Sequence, residues 1–223
     1  LALGQTSNDL ILKANLKHEK KDFAGAIADL TKAIDIDPLN KYAFVFRGDS
    51  KAESGDFQGA IDDYSKALEI DNMYALAYYY RANAKAKLND HQGAVLDYNS
   101  LIKIVPLFAM AYNNRAISQV KLKDYKAAIS DFTKAIEIDK NYAMSWVHRG
   151  NARVDIRDLS NAILDYNQAI LIDPKLGEAY YARGFSKILI GQNQSGCTDL
   201  KKAKELGQVE AQMLMKEFCR DIK

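Results

Sequence analysis

Proline is scarce in this sequence, with three in 223 residues, and no apolar run approaches the roughly eighteen residues that a membrane-spanning helix requires. Little therefore interrupts helix formation, and a helical membrane span is excluded. Cysteine is rarer still: Cys197 and Cys219 are the only two, and their spacing fits no zinc pattern, which would need further ligands nearby. An excess of either charge is also missing, because 31 Lys and Arg face 29 Asp and Glu, a net charge of +2. No global field would gather a polyanion, and a track of cations beside the stacking aromatics, on which nucleic-acid affinity largely depends, is absent. Three histidines, His18, His91 and His148, are scattered, and H-E-x-x-H, G-x-S-x-G and Gly-rich phosphate loops do not occur. No catalytic constellation, metal site or cofactor site is therefore expected.

What the sequence does have is a period. Ala33, Ala67, Ala135, Ala169 and Ala203 share one 34-residue register, with Leu101 in the gap, and Ala26, Ala60, Ala94, Ala128 and Ala162 share another, completed by Gly196. Pro38, Pro106 and Pro174 fall 68 residues apart. Aromatic columns run beside them: Tyr64, Tyr98, Phe132 and Tyr166 between the alanines, and Phe44, Tyr78, Tyr112, Trp146 and Tyr180 upstream. Within each period, apolar positions recur at three and four, and an Asp (Asp22, Asp56, Asp90, Asp124, Asp158) stands where a second helix needs its cap. Each period thus reads as two helices.

The stretch WVHRGNARVDIRDLSNAILDYNQAILIDP, residues 146–174, is the clearest copy, and it resembles the tetratricopeptide repeat pattern W-x2-L-G-x2-Y, A-x3-F, A, P. The resemblance covers nearly the whole chain. It implies an all-α, right-handed solenoid of six helix-turn-helix units, residues 7–40, 41–74, 75–108, 109–142, 143–176 and 177–207, closed by a capping helix within 208–223. Residues 1–6 are read apart, since Ala2-x-Gly4 before Gln5 resembles the small-residue end of a secretory signal peptide; a frayed first turn is the other reading, and export and a cytoplasmic location both stay open.

Small residues on each first helix, Ala14, Gly48, Ala82, Ala116, Gly150 and Gly184, are expected to let the second helix approach closely. The family pattern has Leu just before that place, whereas this chain has Arg47, Arg81, Arg115, Arg149 and Arg183. A column of aspartates, Asp29 through Asp199, matches it. The register predicts ion pairs between adjacent units, Asp29 with Arg47 through Asp165 with Arg183, in preference to the alternatives of pairing within a unit or free exposure. The last repeat helix and the cap, running antiparallel around Gly207, bring Cys197 level with Cys219, either as a disulfide in an oxidising compartment or as two small buried residues.

The resemblance also implies a concave surface lined by first helices that binds extended peptides or partner helices. Laid on this sequence, the second unit contributes Tyr42, Val45, Phe46 and Asp49, and the third contributes Leu76, Tyr79, Tyr80 and Asn83. Met110, Asn113, Asn114 and Ile117 follow from the fourth, Met144, Val147, His148 and Asn151 from the fifth, and Glu178, Tyr181 and Phe185 from the sixth. Such amides satisfy a peptide main chain, and the rings supply area at low entropic cost. Asn83 and Asn114 match the asparagines of the clamp with which one subgroup grips a chaperone C-terminus, but its cationic places fall on Tyr79, Met144 and His148, so that clamp is incomplete. The expected function is a non-enzymatic scaffold for a protein or peptide partner. The alternative is an assembly module that self-associates or binds through its edges.

Overall fold

The computed structural model describes residues 6–219, so the signal-like start and residues 220–223 of the expected cap lie outside the described residues. Among those described there are thirteen helices and no strand. They form two compact units. Leu1–Pro106 contains α1 (Ser7–Glu19), α2 (Phe23–Ile36), α3 (Lys41–Glu53), α4 (Phe57–Ile70), α5 (Ala75–Lys87) and α6 (His91–Ile104). Leu107–Lys223 contains α7 (Ala109–Lys121), α8 (Tyr125–Ile138), α9 (Ala143–Asp155), α10 (Leu159–Ile172), α11 (Gly177–Leu189), α12 (Asn193–Glu205) and α13 (Ala211–Phe218). No described helix is long and apolar enough to cross a membrane.

The helices start and stop where local chemistry demands. Asp22, Asp56, Asp90 and Asp124 each accept a hydrogen bond from the backbone N–H three residues on, satisfying one orphan donor of the second helix. Asp158 departs from this, and its carboxylate instead accepts from the Asn161 amide. Immediately before these caps the chain reverses through a left-handed residue: Lys21, Gly55, Asn89, Lys123, Arg157 and Gly191 all have φ between 61° and 92°. Glycine occupies this place only twice, so the turn recurs even where a side chain makes it costly. The turn between one pair and the next is closed by the carboxylates of Asp37, Asp71, Asp139 and Asp173, each accepting from the N–H two residues later.

Successive helices pack in order within each unit, and first helices also touch, α1 with α3 and α3 with α5, α7 with α9 and α9 with α11. Both alanine columns are fully buried. Their neighbours explain the choice of small residues. A methyl group at Gly48 would lie 2.7 Å from the Tyr64 ring, and one at Gly150 would lie 2.5 Å from the Tyr166 ring. Those rings are themselves about 1% exposed, so neither can move aside cheaply.

The arginines pair within their own hairpin, not with the preceding repeat. Arg47 meets Asp63, Arg81 Asp97, Arg115 Asp131, Arg149 Asp165 and Arg183 Asp199, each at 2.6–2.7 Å and each a two-bonded fork. The expected pairing across repeats fails because residues two apart on a helix point about 200° apart. The aspartate faces its own first helix, and the residue two places later faces the next. That later residue, Thr31, Ser65, Thr133 or Asn167, accepts a hydrogen bond from the other side of the following arginine at 2.8–3.2 Å. Each guanidinium also lies over the ring three residues before it, from Phe44 to Tyr180, at 4.8–5.6 Å from the centroid. A second cation one turn further along the first helix, Lys17, Lys51, Lys85, Arg153 or Lys187, reaches the same aspartate column at 2.6–2.8 Å. Gln119 stands at that place in the hairpin of α7 and α8.

At the C-terminal end, α13 covers α12, with Leu214 and Met215 packed against Leu200, Ala203 and Ile188. Cys197 and Cys219 form a disulfide there, with Cα atoms 5.8 Å apart.

Asp165→Ala strands two guanidinium groups and is expected to lower stability by about 3–5 kcal/mol, whereas Thr133→Val, which removes one hydrogen bond, should cost about 1 kcal/mol. Urea unfolding of both variants measures the difference. Cys219→Ser should cost about 3 kcal/mol and speed amide exchange across α13 more than elsewhere.

Candidate functional site

In the first unit, the predicted binding residues form two aromatic groups on α3 and α5. Tyr42 is half-exposed, meets Tyr74 edge-on at 5.7 Å, and shares with it the ammonium of Lys41, which is ion-paired to Asp71. Tyr80 stacks on the buried Tyr64 at 5.8 Å and meets Tyr79 edge-on at 5.5 Å. Phe46 packs on the α1 and α2 core, and Leu76 is exposed. Asp49 is partly buried, with its carboxylate 3.6 Å from the His18 ring. Burial pushes that carboxyl up from its ordinary value, and His18 only partly offsets the effect. Burial likewise raises the Tyr64 hydroxyl, with Asp49 and Tyr80 adding to it, so this phenol stays protonated. Asn83 accepts a hydrogen bond from the Tyr98 hydroxyl.

In the second unit, Met110 on α7 is exposed, while Met144, Ile117 and Asn151 are partly buried. Asn113 corrects the expectation: it is 1% exposed and belongs to the interior. The first helices α7 and α9 pack on each other, and Asn113 lies in that contact. Val45 and Val147, at the same register, are buried for the same reason. Asn113 Oδ1 accepts from Ser145 Oγ at 3.0 Å and lies 3.1 Å from His148 Nδ1, while its amide donates to Asn114 Oδ1 at 3.1 Å. This network places the His148 proton on Nδ1. The imidazole leans on Phe132 at 5.6 Å, and burial lowers its pKa from the ordinary value.

Tyr80, His148 and Ala182 share one register, and what each covers is a structural finding. Tyr80 packs on Tyr64 and His148 on Phe132, whereas the small Ala182 sets no ring against Tyr166. A cleft of about 380 Å³ opens there, with Tyr166 at its base and Tyr181 and Phe185 on its wall. The Tyr166 hydroxyl donates to Asn151 Oδ1 at 2.8 Å. Asp155, Ser186, Gln208 and Glu210 also line the cleft, and the sequence reading did not single them out. The one signal that could have found it is an alanine at the register where Phe46, Tyr80 and His148 carry rings. Among the described residues no group of three or more His, Cys, Asp or Glu side chains is placed to hold a metal.

Stacked helix hairpins with a 34-residue register define a helical repeat protein. Family models described as TPR repeat match residues 48–89, and others described as tetratricopeptide repeat match 10–38, 76–107, 109–142 and 143–176. The chain belongs to the tetratricopeptide repeat family, whose members bind protein or peptide partners and are typically non-catalytic. Among solved structures, MamA is 24% identical with a TM-score of 0.69, covering 74% of this chain and 96% of its own. YrrB, described as a TPR protein with an unusual peptide-binding site, is 20% identical with a TM-score of 0.70, covering 84% and 97%. The pilF protein of Pseudomonas aeruginosa is 15% identical with a TM-score of 0.78, covering 95% and 97%. These likenesses carry the fold. Comparison with curated proteins gives no match.

Because His148 has a lowered pKa in the folded state, the unfolded chain binds the proton first as pH falls below about 6.5. Stability from this residue is therefore full above that pH and is lost as pH falls towards the folded value. Urea midpoints at pH 7.5 and 5.5 should differ less in His148→Gln than in the unsubstituted chain.

Proposed function

We propose that the chain is a non-catalytic interaction scaffold that binds an extended peptide or a partner helix along the faces of its first helices. One observation carries this reading. The arginines of these helices are committed to internal aspartates, so the partly exposed side chains beside them are rings, amides and thioethers: Tyr42, Tyr79, Tyr80, Asn114, Met144 and Asn151. Rings and amides suit an uncharged polypeptide backbone, where donors and acceptors alternate. A nucleic acid would need cations that this surface has already paired off. YrrB, with its described peptide-binding site, lends the reading support at the level of the fold.

A pull-down from the native source with the intact chain, repeated with the Tyr80→Ala and Asn114→Ala double variant, tests this. Loss of at least one specific partner, with the thermal melt still cooperative, is the expected result, and recovery of every partner by the variant would place the binding surface elsewhere. Binding should weaken only slightly between low and moderate salt, since no polyanion is released from its counterions. A solution mass that falls on Tyr79→Ala would favour self-assembly instead.

A further inference from the structure

We infer that the cleft of the second unit is a receptor for one lysine or arginine side chain of a partner polypeptide, an assignment that rests on the peptide-binding reading above and gives it a chemical class. The cleft has an apolar floor and wall from Tyr166, Tyr181, Phe185 and Val154 and an acidic edge from Asp155, Glu178 and Glu210. No Lys, Arg or His lines it. At about 380 Å³ it falls in the range of sites that enclose a ligand group. A lysine or arginine stem fits the rings, and its charged head fits the carboxylates.

Three observations point to a missing cation. First, among the described residues Asp155, Glu178 and Glu210 make no ion pair, although nearly every acid of the neighbouring interior does. Asp155 ends α9, where the helix dipole opposes a negative charge, so its position costs stability that a bound cation would offset. Second, Ser186 is 1% exposed and lines the cleft, and its hydroxyl oxygen accepts no hydrogen bond among the described residues. An entering N–H donor would fill that acceptor. Third, the cleft exists because Ala182 replaces the ring that caps the corresponding site in the first unit, where Tyr80 covers Tyr64. At its base, burial raises the Tyr166 hydroxyl most strongly, a hydrogen bond from Ser186 opposes the rise, and the charges of Asp165, Glu178 and Asp155 add to it.

The wall formed by Gln208 and Glu210 lies in the turn between α12 and α13, whose far end is tied down by the Cys197–Cys219 disulfide. The cleft is therefore held open before any ligand arrives, which lowers the ordering cost of binding.

The test probes the intact chain against an array of end-blocked random peptides and then measures Kd by fluorescence anisotropy for the strongest binders and their Lys/Arg→Gln counterparts. Enrichment of Lys or Arg among retained peptides is expected, together with about tenfold weaker binding of each Gln counterpart. The Glu178→Gln and Asp155→Asn double variant should lose the same factor, and Ala182→Tyr, which refills the cleft as Tyr80 does in the first unit, should lose binding with its helical content unchanged. Retained peptides without a preference for Lys or Arg, or binding untouched by the acidic double variant, would overturn the assignment and leave the broader peptide-binding reading standing. So would an array that retains nothing while the intact chain still captures native partners. Spermidine competing as strongly as the best peptide would assign the cleft to a free polyamine and equally overturn it.

Discussion

The structure depends on how closely two short helices can approach. A pair of thirteen- and fourteen-residue helices cannot shield its own apolar faces, so it must bury them against the next pair. Stacking of this kind works only if the contact surfaces are shallow. The fully buried alanine columns supply that, and where a large ring crosses the contact, as Tyr64 and Tyr166 do, the opposing residue shrinks further to Gly48 or Gly150. Small residues and rings are thus two halves of one packing solution, repeated at a fixed period.

Within that apolar frame runs a ladder of charge. Arg47, Arg81, Arg149 and Arg183 are each bound on one side by the aspartate of their own hairpin, on another by a hydroxyl or amide of the preceding second helix, and on the face by an aromatic ring. The aspartate fixes the hairpin, and the hydroxyl registers one hairpin on the next. Buried ion pairs contribute little to net stability when their desolvation is counted, but they penalise any misaligned stack, because a shifted register would leave both charges unpaired.

The ladder also shapes the proposed binding surface. By holding the cations inside, it leaves rings and amides on the first helices and a set of unpaired carboxylates around the cleft of the second unit. In the proposed reading, function resides in the places where the repeats differ. Tyr80, His148 and Ala182 occupy one register with three different outcomes: a stacked ring, a partly buried imidazole and an open cleft.

The sequence by itself determined whatever depends on period alone. Helix number, helix ends, buried alanines, the aspartate caps and the meeting of Cys197 with Cys219 could all be read, because an α-helix repeats its faces at a constant angle and a hairpin turn brings equidistant residues level. Only the tertiary structure decided which of two level partners an arginine chooses. Asp29 and Asp63 are both placed near Arg47 by register, and the direction in which each side chain leaves its helix separates them. Direction also moved Asn113 from the surface to the interior, since an amide gives no sign in sequence of whether it faces a partner or a neighbouring helix. The cleft beside Tyr166 was the least legible feature, because it arises from a side chain that is too small, and an empty volume is a property of several elements packed together rather than of any one of them.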